Sequence, residues 1–206
     1  MQKEQKAIYY LQGDNLELLK NSPLLDSFLK KDIEVMFFSD EVDGFVMPMV
    51  QEYDKTPLRS IDSKEAAEEL GELKIDEKVQ EKFKDLLESF KKALGDEVKE
   101  VRLSARLVDA PSCLVADEND PNAAMLKMMK QMGAMGGAMN LPEPKPILEL
   151  NPTHSILTKL LDSKDSSKIE QVAYLLFEEA KLLEGGKLKD VNGFVKRLNA
   201  MLELGI

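Results

Sequence analysis

A chain of 206 residues, 43% hydrophobic and 32% charged, has room for one large or two small domains with a true apolar core. Its net charge of −10 argues against nucleic acid or an anionic membrane as the main partner, because both need a basic face. The single cysteine, Cys113, leaves no internal disulfide and suits a reducing compartment such as the cytoplasm, and neither a membrane-spanning run nor a signal peptide is read from the sequence.

The first third alternates strand and helix signals. "AIYYL" (7–11) is β-rich and apolar, and "DNLELLKNS" predicts a short helix with Asp14 as its cap. Ser22 followed by Pro23 predicts a second helix start, a cap and then the favoured first-turn proline. "EVMFFS" (34–39) is a continuous apolar run that fits a strand buried on both faces. "VDGFVMPMVQEY" reads as short and helical, limited by Pro48. This order suggests part of a parallel α/β layer, and the polar stretch 54–75 reads as a linker.

The next helix is strong. Val79, Phe83, Leu86, Leu87, Phe90 and Leu94 recur at helical spacing, and Gly95 stands at the position that closes a helix. Val101, Leu103, Ala105 and Leu107 then alternate with polar residues as in a half-buried strand. "SCLVA" and "ILEL" (147–150) predict two more strands. The rest is helical: a helix from Asn151 as cap and Pro152, another over 168–184, and a last one capped by Asp190. Its apolar residues outnumber what a short neighbouring helix can cover. Two such hairpins from two copies make an economical four-helix bundle, and packing on the chain's own sheet is the alternative.

Catalytic constellations are missing. With His154 the only histidine and Cys113 the only cysteine, no Cys/His zinc site can be built, and a triad on His154 lacks a nucleophile motif such as G-x-S-x-G. No P-loop and no G-x-G-x-x-G appears. "SDEVDGF" and "DENDPN" both fail as calcium loops, and Asp40, Glu41 and Asp43 read as charges favoured at a helix start.

The unusual feature is "AAMLKMMKQMGAMGGAM" (123–139), which holds six of the eleven methionines. Met125, Met128, Met129 and Met132 fall on one face of a helix that runs into Gly133, Gly136 and Gly137. Core packing and an adaptable binding surface stand about even on this pattern, since methionine serves both. A copper(I) site lacks histidine or cysteine nearby.

Several stretches together resemble the 90-kDa heat-shock chaperone family. "IYYLQGDNLELLKNSPLLDSFLKKDIEVMFFSDEVDGFVM" is similar to the end of the family's middle domain, and "VKEVRLSARLVDAPSCLVAD" to the start of its C-terminal domain. "ILELNPTHSIL" and "LKDVNGFVKRLNAML" resemble that domain's sheet-to-helix junction and final dimer helix. The ending "LELGI", in place of an acidic tail ending M-E-E-V-D, resembles bacterial members.

The resemblance implies an α+β fold: a small α/β/α subdomain, then a mixed α/β domain ending in helices that form an intermolecular four-helix bundle. Residues 1–75 become the end of a middle domain with its linker. Residues 76–206 become a dimerisation domain with a Met-rich helix projecting at about 121–137. The implied dimer interface is Leu176, Ala180, Leu183, Val191, Phe194, Val195, Leu198, Met201 and Leu202. The implied client-binding residues are Phe45, Met47, Met49, Met125, Met128, Met129 and Met132. Phe45 takes the place where bacterial relatives can carry tryptophan. Pro48 replaces a polar amide, and Pro121 with Asn122 replaces an apolar position.

The resemblance places the ATP-binding domain and the ATPase-completing arginine outside this chain. The expectation is therefore a chaperone segment that is no enzyme and holds no cofactor, with ATP and Mg belonging to the full-length family. Its expected partners are a second copy, non-native client proteins and other chaperones, in the cytoplasm. A purely structural dimerisation module, with the Met-rich helix packed as core, is the alternative.

Overall fold

The computed structural model describes residues 5–40, 42–70, 75–117 and 145–203. The apolar runs of the first third form strands β1 (Ile8–Gln12) and β2 (Val35–Phe38), which pair in parallel with Tyr9 opposite Val35 and Leu11 opposite Phe37. Between them lie α1 (Leu16–Lys20), a 3-10 turn at Pro23–Leu25 and α2 (Asp26–Lys30). Asn15, not Asp14, caps α1: its Oδ1 accepts from the N–H groups of Glu17 and Leu18. Ser22 caps the proline turn as expected.

Two expectations for this region are corrected. First, β2 is not buried on both faces, because it lies at the edge of the four-stranded sheet β2-β1-β4-β3 and leaves Met36 exposed. Second, 54–75 is no linker. It contributes β4 (Thr56–Ser60), paired in parallel with β1, and α4 (Lys64–Glu69), which together bury Ile61, Ala66, Ala67 and Leu70. Pro57 and the half-buried setting of every β4 residue erase the alternation that marks a strand. The two-residue β3 (Glu52–Tyr53) pairs antiparallel with β4. The short α3 (Asp43–Val46) and a 3-10 turn at Met47–Met49 precede it.

The second layer is a three-stranded sheet in the order β5-β7-β6. Strand β5 (Glu100–Leu103) runs parallel to the central β7 (Ile147–Leu150), and β6 (Ser112–Val115) runs antiparallel to it. The predicted alternation through Leu107 stops at Leu103. There the Ser104 hydroxyl accepts from the N–H groups of Arg106 and Leu107 and turns the chain.

Every residue of β6 and β7 is buried, because both faces of this sheet are covered. On one face Leu114, Leu148 and Leu150 meet α5 (Glu77–Leu94), α6 (Ser155–Leu161) and α7 (Ser166–Leu183) through Phe83, Phe90, Leu157 and Leu176. On the other, Cys113, Val115 and Ile147 share a core with Tyr9, Leu11, Phe28 and Ile61 of the first layer. The final helix, α8 (Val191–Glu203), packs along α7.

Gly95 closes α5 at φ +50°, a conformation that glycine adopts without a Cβ penalty. Asn151 does not cap α6. Its amide donates to the carbonyls of Val108 and Ala110 while its oxygen accepts from Thr153. The helix starts four residues later, with His154 Nδ1 accepting from the Ile156 N–H.

Candidate functional site

One stretch of apolar surface left open by this packing lies on α8. Asp190 caps it through the Gly193 N–H at 2.8 Å. Arg197 ties it to α7 by a fork on the Glu178 carboxylate, at 2.5 and 3.2 Å, and lies 5.2 Å from the centre of the Tyr174 ring. Met201 rests on the core. On the outer side, Val191, Val195, Leu198 and Leu202 follow one another at i, i+4, i+7 and i+11 and are all exposed, Val191 to 59%. No residue of α8 is buried. Leu182 and Leu183 are exposed at the end of α7.

Of the nine expected dimer residues, Leu183, Val191, Val195, Leu198 and Leu202 are therefore exposed, and Phe194 and Met201 are half-buried. Leu176 and Ala180 are corrected. They are 2% and 1% exposed, sealed in the chain's own core, where they face the sheet and α5.

A second apolar patch lies at the end of the first layer. Val42, Val46, Met49, Val50 and Tyr53 are exposed, Met49 to 82%. Met47 is corrected as a surface residue: at 6% exposure it points into the protein. A 3-10 turn has three residues per turn, so side chains two apart diverge. Phe45 belongs to α3, but its side chain lies outside the described residues, as do Met125, Met128, Met129 and Met132. Asp43 opens α3 and accepts from the Asp40 N–H through Oδ2.

The buried polar centre escaped the sequence reading. Glu149 sits in β7 on the face toward the first layer. Its carboxylate accepts from Arg102 (Nε 3.1, Nη2 2.8 Å), Arg106 (Nε 2.9, Nη2 2.9 Å) and the Ser104 hydroxyl (2.9 Å). Burial opposes its ionisation, but the hydrogen bonds and charge of Arg106, then Arg102, hold its carboxyl below the ordinary range. The signal was present: a glutamate inside the otherwise apolar "ILEL" must find a cation when that strand is buried.

Cys113 is fully packed 3.9 Å from Glu149, and burial, then that carboxylate, push its thiol well above its usual value. It is no activated nucleophile. Among the described residues no cluster of His, Cys, Asp or Glu can hold a metal ion, and no helix is long and apolar enough to cross a membrane.

Comparison with known proteins accounts for the whole sequence. A family described as "Hsp90 protein" matches residues 1–206. Chaperone protein HtpG of Wolinella succinogenes is 57% identical over 206 residues, which is 100% of this chain and 33% of that protein. The HtpG proteins of Helicobacter pylori (48%) and Treponema denticola (42%) match 98% of the chain and 31% of their own length. The chain thus spans about a third of the curated relatives it matches.

These matches correct two expectations, that the chain is no enzyme and that it holds no cofactor. The Hsp90 protein family, to which the resemblance ascribes ATP and Mg, covers every residue of the chain, so neither negative stands. Both rested in part on missing linear motifs. A nucleotide site assembled from residues distant in sequence leaves no such motif.

Proposed function

The chain belongs to the Hsp90 protein family, and on that premise we propose that it is the dimerising, client-binding segment of a bacterial chaperone of the HtpG type. It would comprise the end of the middle domain, residues 1–75, and the C-terminal dimerisation domain, residues 76–206, and act in the cytoplasm.

The observation that carries this reading is α8, an amphipathic helix of 13 residues with four exposed apolar side chains on one face and none buried. A helix of that kind needs a partner for its apolar face. A second copy supplies it by symmetry: α7 and α8 of each chain would form a four-helix bundle through Leu183, Val191, Val195, Leu198 and Leu202. Phe194 and Met201 sit at its margin.

Client binding has its support in Val46, Met49 and Tyr53 on the surface, together with the sequence pattern of the methionine stretch. Burial of client side chains there supplies about 25 cal/mol per Å². Methionine repacks against many apolar shapes, and two copies facing one client strengthen weak single contacts.

Sedimentation of the wild type beside Leu198→Glu tests the dimer. The wild type is expected to run as a dimer and the variant as a folded monomer; identical monomers overturn the reading. Met128→Ser with Met129→Ser tests the client surface. Suppression of aggregation should fall, and full suppression by the folded variant removes these methionines from the site.

A further inference from the structure

The two layers meet through two kinds of contact. The first is apolar: Leu107, Cys113, Val115 and Ile147 pack with Tyr9, Leu11, Phe28 and Ile61. Such contact holds surfaces together but carries little directional information. The second is directional. Arg106 Nη1 crosses from the second layer to the turn between β4 and α4, donating to the carbonyls of Ile61 (3.1 Å), Asp62 (3.1 Å) and Ser63 (3.4 Å). The other edge of the same guanidinium is fixed on Glu149 of the central strand. A rigid planar fork held on both edges specifies angle as well as distance. Elsewhere across the junction, Asp26 and Asp109 bring two like charges together, a poorer tie.

We propose that Arg106 is a positioning residue that sets the orientation of the first layer on the second. The apolar contact supplies the adhesion and Arg106 the angle. Arg102 and Ser104 belong wholly to the second layer and already satisfy Glu149 from its own sheet. Loss of the Arg106 fork therefore does not strand a bare carboxylate, and the two layers loosen in angle without unfolding.

The test is a distance distribution between spin labels at Leu29→Cys, on α2, and Glu88→Cys, on α5. The full chain is diluted with unlabelled chain, and Cys113 stays buried and unlabelled. The Arg106-intact chain is expected to give one narrow distance. Arg106→Lys keeps the charge but loses the fork, and is expected to broaden the distribution about twofold with the fold retained. Arg102→Lys is expected to leave it narrow. An unchanged width in Arg106→Lys overturns the proposal, as does equal broadening in Arg102→Lys. Should Arg106→Lys not fold, the joint replacement Arg102→Met, Glu149→Leu and Arg106→Met removes all three charges together, a change that buried ion triads tolerate. The same broadening is expected there, and a narrow distribution overturns the assignment.

Discussion

Helices α7 and α8 are neighbours in sequence, both amphipathic and both capped by an aspartate, yet they end in opposite environments. Six residues of α7 are buried, four of them aliphatic or small and one aromatic, while α8 buries none. The difference does not come from apolar content. α7 lies against the sheet, with the Ser112 hydroxyl bonded to its Leu176 carbonyl, whereas α8 packs chiefly on α7 and reaches the core with Met201. One apolar stripe is completed by its own chain, and the other is left open.

The sharpest way to break this contrast is a matched pair of truncations. Leu176→Ala on α7 is expected to cost about 2–5 kcal/mol of unfolding free energy by denaturant titration, because a cavity opens in a closed core. Leu198→Ala on α8 should cost less than about 0.5 kcal/mol in the dilute chain. Equal losses would mean that α8 is core.

Next in size is Glu149→Gln, expected to cost about 3 kcal/mol, since two arginines lose a buried counter-charge. Its pH dependence has a defined sign. The folded-state pKa lies below the ordinary 4.5, so the carboxylate's contribution is present above 4.5 and is lost as pH falls from there through the folded value. Acid unfolding curves should show this limb in the wild type and lack it in the glutamine variant.

A smaller effect is expected from Arg197→Met, about 1–3 kcal/mol, because Glu178 loses its fork in a mostly buried position. Hydrogen exchange should speed in α8 and stay unchanged in β7, separating detachment of one helix from global loss. The smallest effects belong to the caps: Asp190→Ala on α8 and Asp165→Ala on α7 should each cost about 1 kcal/mol in thermal unfolding.

Periodic elements were legible in the sequence. The stripe Phe83, Leu86, Phe90, Leu94 located α5 and its glycine stop, and "ILEL" located the central strand. What periodicity cannot supply is a direction. α7 carries apolar residues around much of its circumference, and the family resemblance implies Leu176 and Ala180 for the partner, whereas they face the sheet. Met47 and Met49 look alike on paper and point opposite ways on a single 3-10 turn. Strand β4 was invisible because Pro57 interrupts it and none of its residues is fully buried. The Arg106–Glu149 pair joins positions 43 residues apart, and sequence spacing gives no such partner. Membership in the family came from motifs kept in order along the chain, and the later comparisons agree at that level.

Strands β6 and β7 are antiparallel neighbours in which Val115 stands opposite Ile147. The sheet itself thereby fastens together the two ends of the intervening segment, whose closure cost grows only with the logarithm of its length. The frame therefore closes on itself at Val115 and Ile147, and Lys99 binds both margins of the gap, its N–H donating to the Pro146 carbonyl and its ammonium meeting Asp117. The anchor points of the chain between them are set by the sheet, whatever that chain carries.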